Sequence, residues 1–212
     1  MVNAIPSVIF ITFCALPIAL HYFINRKYKK LLANLNLKDE DYYHQCLFID
    51  MKNFKCKQHL INKDECCDHC SYNHLKTLIN FISSAKLSIC LCMYTLTLKQ
   101  INVELIKAHK RGVNLRIITD QVMLRTETAK FNFAKLKDNG IPFKVQPSDH
   151  SMMHHKFCLI DKDDKSSAKM FFGTMNLTGQ GLVSNFENVI LTNNRNMIER
   201  FSQEFEELWG DF

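Results

Sequence analysis

The stretch Met152–Asp161, MMHHKFCLID, sets His154 two residues before Lys156 and Asp161 five residues beyond that lysine. In an extended strand, residues two apart point to one face. His154 and Lys156 therefore present together at the mouth of the apolar run Phe157–Ile160. Phosphoryl transfer needs a nucleophile, positive charge for the equatorial oxygens and a proton for the leaving oxygen. An imidazole serves as the first or the last of these, a fixed ammonium as the second. Downstream, Gly173-Thr174-Met175-Asn176 ends another apolar run. Gly173 admits a close backbone approach, and Thr174 and Asn176 offer neutral donors. Glu187 opens the run after that.

A second group of reactive side chains lies upstream. Nine Cys is an odd count, which excludes a fully paired disulfide framework. Five of them fall between Cys46 and Cys70, interleaved with His. In a reducing compartment that density reads as a metal site. Cys67 and Cys70 have zinc-knuckle spacing, His74 follows within reach, and Cys56 completes a closed Cys3His set for a structural zinc. Cys46 is a weaker candidate. Cys90, Cys92 and Cys158 sit in apolar runs and are expected as buried thiols.

The elements that must carry these residues follow from hydrophobic periodicity. Leu75–Ala85 reads as a helix with Leu75, Leu78, Ile79 and Ile82 on one face, and Lys86–Tyr94 as a buried strand. Lys99–Lys110 is an amphipathic helix stopped by Gly112, and Val113–Thr119 a second strand. Thr126–Asp138 is a further helix, with Phe131, Ala134 and Leu136 inward, followed by Gly140 and the strand Ile141–Val145. This β-α-β-α-β order predicts a parallel arrangement with helices on both faces. Phe157–Ile160 and Lys169–Phe172 are strands joined by a polar turn, Glu187–Leu191 is another, and Asn196–Trp209 is a closing helix. Its apolar face is Met197, Ile198, Phe201, Phe205, Leu208 and Trp209. Residues 39–70 read as irregular.

Ala4–Ile24 holds no Asp, Glu, Lys or Arg, and a helix of that length just spans a hydrocarbon core of about 30 Å. Arg26, Lys27, Lys29 and Lys30 follow at once, with no basic residue before the run. The order is the reverse of a secretory peptide and places the following body in the cytosol. The expected organisation is a membrane anchor at 1–26, a basic linker at 27–38 and one catalytic domain at 39–212, with the Cys/His insert at 46–74. The hydrophobic fraction of 47% and only ten Gly plus Pro (six and four) exclude a disordered chain. A formal charge of +6 favours anionic partners, nucleic acid or lipid headgroups.

The pattern H-x-K-x4-D at His154, Lys156 and Asp161, followed by G-[ST]-x-N at Gly173, Thr174 and Asn176, resembles the phospholipase D superfamily. The closer resemblance is to its single-motif Zucchini family, the mitochondrial phospholipases D. It covers nearly the whole chain: anchor, basic flank, Cys/His insert, one HKD motif, NFENVILT around Glu187 and a Trp-bearing C-terminal helix. Thr174 stands where Ser is commoner, and Leu177 where that family often has Trp, which would alter the groove floor. The fold implied is an α/β/α sandwich around a mixed, mostly parallel sheet, preceded by the transmembrane helix.

The resemblance also implies a mechanism. A superfamily active site uses two HKD motifs, so a chain with one would act as a C2 homodimer. One His154 would form a phosphohistidine and the other would protonate the leaving oxygen. Lys156 and Asn176 would hold the phosphate, while Asp161 and Glu187 would support the structure or the imidazole. No catalytic metal is implied. The structural zinc is implied too, with Cys66 in place of Cys67 as an alternative ligand. The first activity implied is single-strand-specific endoribonuclease action at the mitochondrial outer membrane, alongside piRNA-pathway proteins. Arg111, Arg116 and Arg125, with Lys107, Lys110 and Lys144, are candidate RNA contacts. The alternatives are cardiolipin hydrolysis to phosphatidic acid and a non-enzymatic membrane scaffold.

Overall fold

The structure, a computed structural model, describes residues 20–29, 43–147 and 151–212. The chain divides into two compact units, Met1–Tyr42 and Tyr43–Phe212. In the first, residues 20–29 form a helix, α1, with Leu20, Phe23 and Ile24 exposed. Most of the expected anchor, and of the linker after it, lies outside the described residues. Among the described residues no helix is long and apolar enough to cross a membrane.

The second unit is built on seven strands: β1 (His44–Ile49), β2 (Ser88–Met93), β3 (Asn114–Thr119), β4 (Phe143–Val145), β5 (Lys156–Ile160), β6 (Lys169–Gly173) and β7 (Glu187–Thr192). They form one sheet in the order β1-β7-β6-β5-β2-β3-β4. The pairs β2·β3 and β3·β4 are parallel, joined by helices α4 (Lys99–Lys110) and α5 (Glu127–Asp138). The other four pairs are antiparallel. "Mostly parallel" therefore describes the strand directions, since only β5 and β7 run against the rest, and not the pairing. The tight turn Asp161–Ala168 leaves no room for a crossover helix, so β6 returns antiparallel beside β5.

Period-2 alternation splits the core into two layers. Ile89, Leu91 and Met93 of β2 and Cys158 and Ile160 of β5 face α3 (Ser71–Ser83), α4, α5 and α6 (Gly179–Val183). Cys90, Cys92, Phe157 and Leu159 face α7 (Arg195–Asp211), which lays Ile198, Phe201, Phe205 and Trp209 on them. Both faces are covered, which is why these strands read as unbroken apolar runs. The thiols of Cys90, Cys92 and Cys158 are buried, as expected.

Two details differ from the sequence reading. Residues 39–70 are not wholly irregular: β1 forms the sheet edge beside β7, and a 3₁₀ turn (Met51–Cys56) leads into the short helix α2 (Lys57–Asn62). In α5 the inward face is Ala129, Asn132, Phe133 and Leu136, while Phe131 and Ala134 are exposed. Asn132 takes a core position by hydrogen bonding, its side-chain amide donating to the Leu96 carbonyl at 3.5 Å.

Candidate active site

Register brings the candidate residues to one end of the sheet. Met93 at the end of β2 pairs with Lys156 at the start of β5, Phe172 near the end of β6 pairs with Phe157, and Gly173 pairs with Val189 near the start of β7. The ends of β2, β5, β6 and β7 thus meet, with His154 and Lys156 on β5 and its approach, Thr174 and Asn176 just past β6, and Glu187 at the head of β7.

His154 is exposed and Lys156 is buried. The Lys156 ammonium donates to the His154 carbonyl at 2.6 Å and lies 5.1 Å from the centroid of the Tyr94 ring. The same ring is 4.7 Å from the His154 imidazole. Tyr94 is fixed in turn, its N–H donating to the His155 carbonyl at 3.0 Å. Burial lowers the Lys156 pKa, opposed by Glu187 and by Cys92. Partial burial also holds the His154 imidazole below its ordinary value. Lys156 acts in the same direction, Asp120 opposes it and His155 adds to the lowering. A neutral imidazole at neutral pH is the nucleophilic form.

Asp120 and Tyr94 escaped the sequence reading. Asp120 is fully buried at the end of β3, and its carboxylate accepts the N–H of Met153 at 3.0 Å and of Val122 at 2.8 Å. It pins the segment entering His154. The available signal was positional: both residues directly follow the β2 and β3 runs, where a parallel unit delivers its side chains to the site.

On the β6–β7 side, the Thr174 hydroxyl donates to Glu187 at 2.5 Å and accepts the Asn188 N–H at 3.0 Å. The other Glu187 oxygen accepts from Asn185 at 2.8 Å. Gly173 makes this crossing possible. A Cβ there would sit 2.1 Å from the Asn188 carbonyl oxygen. Asn176 accepts the Thr95 N–H at 3.2 Å through its side-chain oxygen, which aims its amide nitrogen away from that loop. Leu177 is fully buried in a bridge to Leu96, so its place is the core rather than a groove floor.

Asp161 is not among them. It lies at the other end of β5, roughly 17 Å of extended chain from Lys156. Its carboxylate accepts the main-chain N–H groups of Lys86 at 3.1 Å, Leu87 at 2.7 Å and Ser88 at 2.9 Å. Its contact is with the start of β2, not with the imidazole.

The three candidate arginines are also dispersed. Arg116 is clamped under α7, bidentate to Glu206 at 2.6 and 2.7 Å and 5.1 Å from the Phe205 ring centroid. Arg111 ends α4 at the remote end of the sheet, donating to the Ser83 carbonyl at 2.8 Å and to Glu104 at 3.4 Å. Arg125 alone follows β3 on the catalytic side. Lys107 pairs with Glu104, and Lys144 donates to the Trp209 carbonyl under α7.

The Cys/His insert gathers Cys56, His59, Cys66 and Cys70, whose ligand atoms lie within 4.8 Å of one another. A tetrahedral zinc with Zn–S of about 2.3 Å and Zn–N of about 2.0 Å needs S···S edges near 3.8 Å and S···N edges near 3.6 Å. Cys56 and Cys66 sulfurs are 3.8 Å apart, and the Cys70 sulfur is 3.4 Å from His59 Nδ1. The donor set therefore fits zinc. Burial opposes the Cys70 thiolate, but hydrogen bonds from the Cys66 and Tyr72 main chain and from His59 outweigh it, lowering the thiol to about 7. His59, not His74, is the imidazole of the cluster, and Cys66, not Cys67, its middle thiol. His74 points into the core from α3, buried, with its Nδ1 unpartnered. Cys67 is exposed beside Cys66, and Cys46 is exposed on β1.

Comparisons with known proteins bear on the family and the fold. A family model described as cardiolipin synthase, PLD-like domain, matches residues 78–209. Mitochondrial cardiolipin hydrolases of Drosophila melanogaster and Chlamydomonas reinhardtii are each 30% identical to this chain, covering 79% and 68% of it. The chain spans 71% and 63% of those relatives' own lengths. Among solved structures, a phospholipase D family member, Nuc from Salmonella typhimurium, superposes with a TM-score of 0.62 at 22% identity. That match covers 80% of this chain and 95% of Nuc, a likeness of fold.

Proposed function

Because this chain belongs to the phospholipase D superfamily, as its PLD-like domain and its 30%-identical relatives establish, we propose that it is a membrane-anchored phosphodiesterase whose nucleophile is His154. The carrying observation is the convergence of His154, Lys156, Asn176 and Glu187 on one end of the sheet. His154 attacks phosphorus and the bond to the leaving alkoxide breaks. In a C2 homodimer the partner's His154 enters as the imidazolium of a pair that shares one proton, and gives that oxygen its proton. The same imidazole then takes a proton from water, the hydroxide attacks the phosphohistidine, and the first His154 is released neutral. Lys156 and the Asn176 amide stabilise the equatorial oxygens. Glu187, held by Thr174 beside Gly173, and Asp161 position the machinery. These steps use side chains only. Cys56, His59, Cys66 and Cys70 would hold a zinc that fixes the insert and takes no part in them.

The names of the relatives, mitochondrial cardiolipin hydrolases, support a phospholipid substrate first: cardiolipin, cleaved to phosphatidic acid at a mitochondrial membrane. Exposed Met152 and Phe186, two residues before His154 and one before Glu187, support an amphiphilic substrate as well. Single-stranded RNA, the first choice from sequence, becomes the second reading. The +6 charge favours it, but Arg116 is engaged by Glu206 and Lys144 by Trp209. To separate the readings, the full chain and His154→Ala would be incubated with cardiolipin vesicles and with 5′-labelled single-stranded RNA, both with EDTA. Phosphatidic acid from the intact chain alone supports the lipid reading. RNA fragments with 5′-phosphate ends, also lost in the variant, would replace it with the nuclease reading. Equal turnover in the variant would remove His154 as nucleophile.

A further inference from the structure

At the end of the sheet remote from His154, α3, the β5–β6 turn and the end of β7 line a cavity of about 630 Å³ that is open to solvent. Strand direction fixes its place: β5 runs away from Lys156, and β6 starts back from Lys169. Two cations line it, Lys169 at the head of β6 and Lys86 in the loop before β2. Lys169 is half-buried, its ammonium 4.7 Å from the centroid of the buried Phe81 ring. Among the described residues neither lysine forms an ion pair. The Asp161 carboxylate offsets part of this charge without pairing with either lysine, its oxygens accepting from three main-chain N–H groups and the Ser167 hydroxyl. Burial lowers the Lys169 pKa, Asp161 opposes the shift, and the Lys86 charge adds to the lowering.

Two ammonium groups beside the single Asp161 carboxylate leave a net positive charge facing the cavity, which an anion entering between them would offset. The size is that of a small-molecule site and exceeds what one phosphate fills. Phe81 and Leu191 leave an apolar wall for whatever the phosphate carries, and the Asn80 amide stands on the rim. We propose that this cavity binds a phosphate-bearing anion, its oxygens set between Lys86 and Lys169. The shared chemistry admits two sources, free phosphate or a phosphatidate headgroup.

The test uses the full chain in detergent carrying Lys156→Ala, which weakens phosphate binding at the catalytic end. Equilibrium dialysis with radiolabelled inorganic phosphate should retain about one equivalent per chain. Adding Lys86→Met and Lys169→Met, which keep the aliphatic stems, should weaken retention at least about tenfold. In the otherwise native chain the same pair should leave phosphodiester turnover unchanged. Dihexanoyl phosphatidate that competes more tightly than phosphate itself assigns the lipid headgroup, and equal or weaker competition assigns the free anion. No retention by the Lys156→Ala chain, or retention indifferent to the lysine substitutions, overturns the proposal. Should the double substitution lower the melting temperature, Lys86→Met alone decides, because that side chain is exposed; unchanged retention there overturns it too.

Discussion

Replacing Asp161 by Asn should cost stability and spare the chemistry. The carboxylate takes five contacts from four groups: the Lys86 N–H reaches both oxygens at 3.1 Å, and Leu87, Ser88 and Ser167 donate at 2.7, 2.9 and 3.3 Å. Asn keeps one acceptor and turns the other into a donor facing an N–H or a hydroxyl. It also gives up the charge that strengthens each bond. Lys86 and Leu87 are exposed, so water replaces part of the loss, leaving about 2 kcal/mol. Asn tolerates the left-handed backbone at this position, where φ is +48°. Ala has neither the acceptors nor that tolerance, and should cost about 4 kcal/mol. For a unit of this size those figures correspond to roughly 4–8 °C and 8–16 °C in Tm. Calorimetry and hydrolysis of a chromogenic phosphodiester at 20 °C would be measured on the same samples. The expected result is a lowered Tm in the order Ala, Asn, native, with the Asn variant turning over within about twofold of native. An Asn variant with native Tm and activity down a hundredfold would refute the reasoning and give Asp161 a part in proton transfer.

Gly173→Ala drives a Cβ to 2.1 Å from the Asn188 carbonyl oxygen and 3.0 Å from Val189 Cα, both backbone, so β7 itself must move. We expect about 1–3 kcal/mol of destabilisation and at least a tenfold fall in kcat, because Thr174 and Glu187 are held across that crossing; native turnover would contradict it. The His154 pKa is lowered, so its reactive neutral form persists below the ordinary imidazole value of about 6.5 and is lost as pH falls through the folded value. The acid limb of kcat/KM should therefore lie below pH of about 6.5, and a limb at or above it would count against His154 as the titrating base. Chelating zinc, or His59→Ala, should lower Tm and release the metal while His74→Ala retains it, read by metal analysis of the purified chain; zinc retained by His59→Ala would return the ligand role to another residue.

Most elements were legible because their local signals were undisguised. Helix α4 has the bounds its Gly112 stop suggests, and the buried strands show as short apolar runs. The β2, β5, β6 and β7 ends also follow from period 2 and strand order. The failures have physical causes. β1 hides among ligand-type residues: His44, Cys46 and Phe48 are its exposed face and only Leu47 and Ile49 are buried. α5 hides its face by placing the polar Asn132 in the core. The zinc-type cluster was read from spacing along the chain, but its imidazole comes from α2. His74, one turn beyond Cys70 on α3, is buried along with Leu75 and Leu78 of the same helix and is absent from the cluster. Tyr94 and Asp120 carry no motif at all; only the direction of parallel strands puts them beside His154.

The constant spacing in H-x-K-x4-D has a structural meaning here. Lys156 begins β5 and Asp161 immediately follows its last residue, so the four intervening residues are the strand interior, Phe157–Ile160. Every one of them is buried, alternately against α7 and against the α3–α6 layer. Lys156 pairs with Met93 at one end of β2, and the Asp161 carboxylate holds Ser88 at the other. The motif therefore clamps β5 to β2 along its whole length. A one-residue insertion between Lys156 and Asp161 would turn Phe157 and Leu159 to the wrong layer or pull Asp161 off its amides. Through that clamp a residue roughly 17 Å along the strand from Lys156 helps to set where Lys156 and His154 stand. The same geometry predicts that a stability defect at Asp161 reaches the His154 end of the sheet on warming and leaves catalysis intact in the cold.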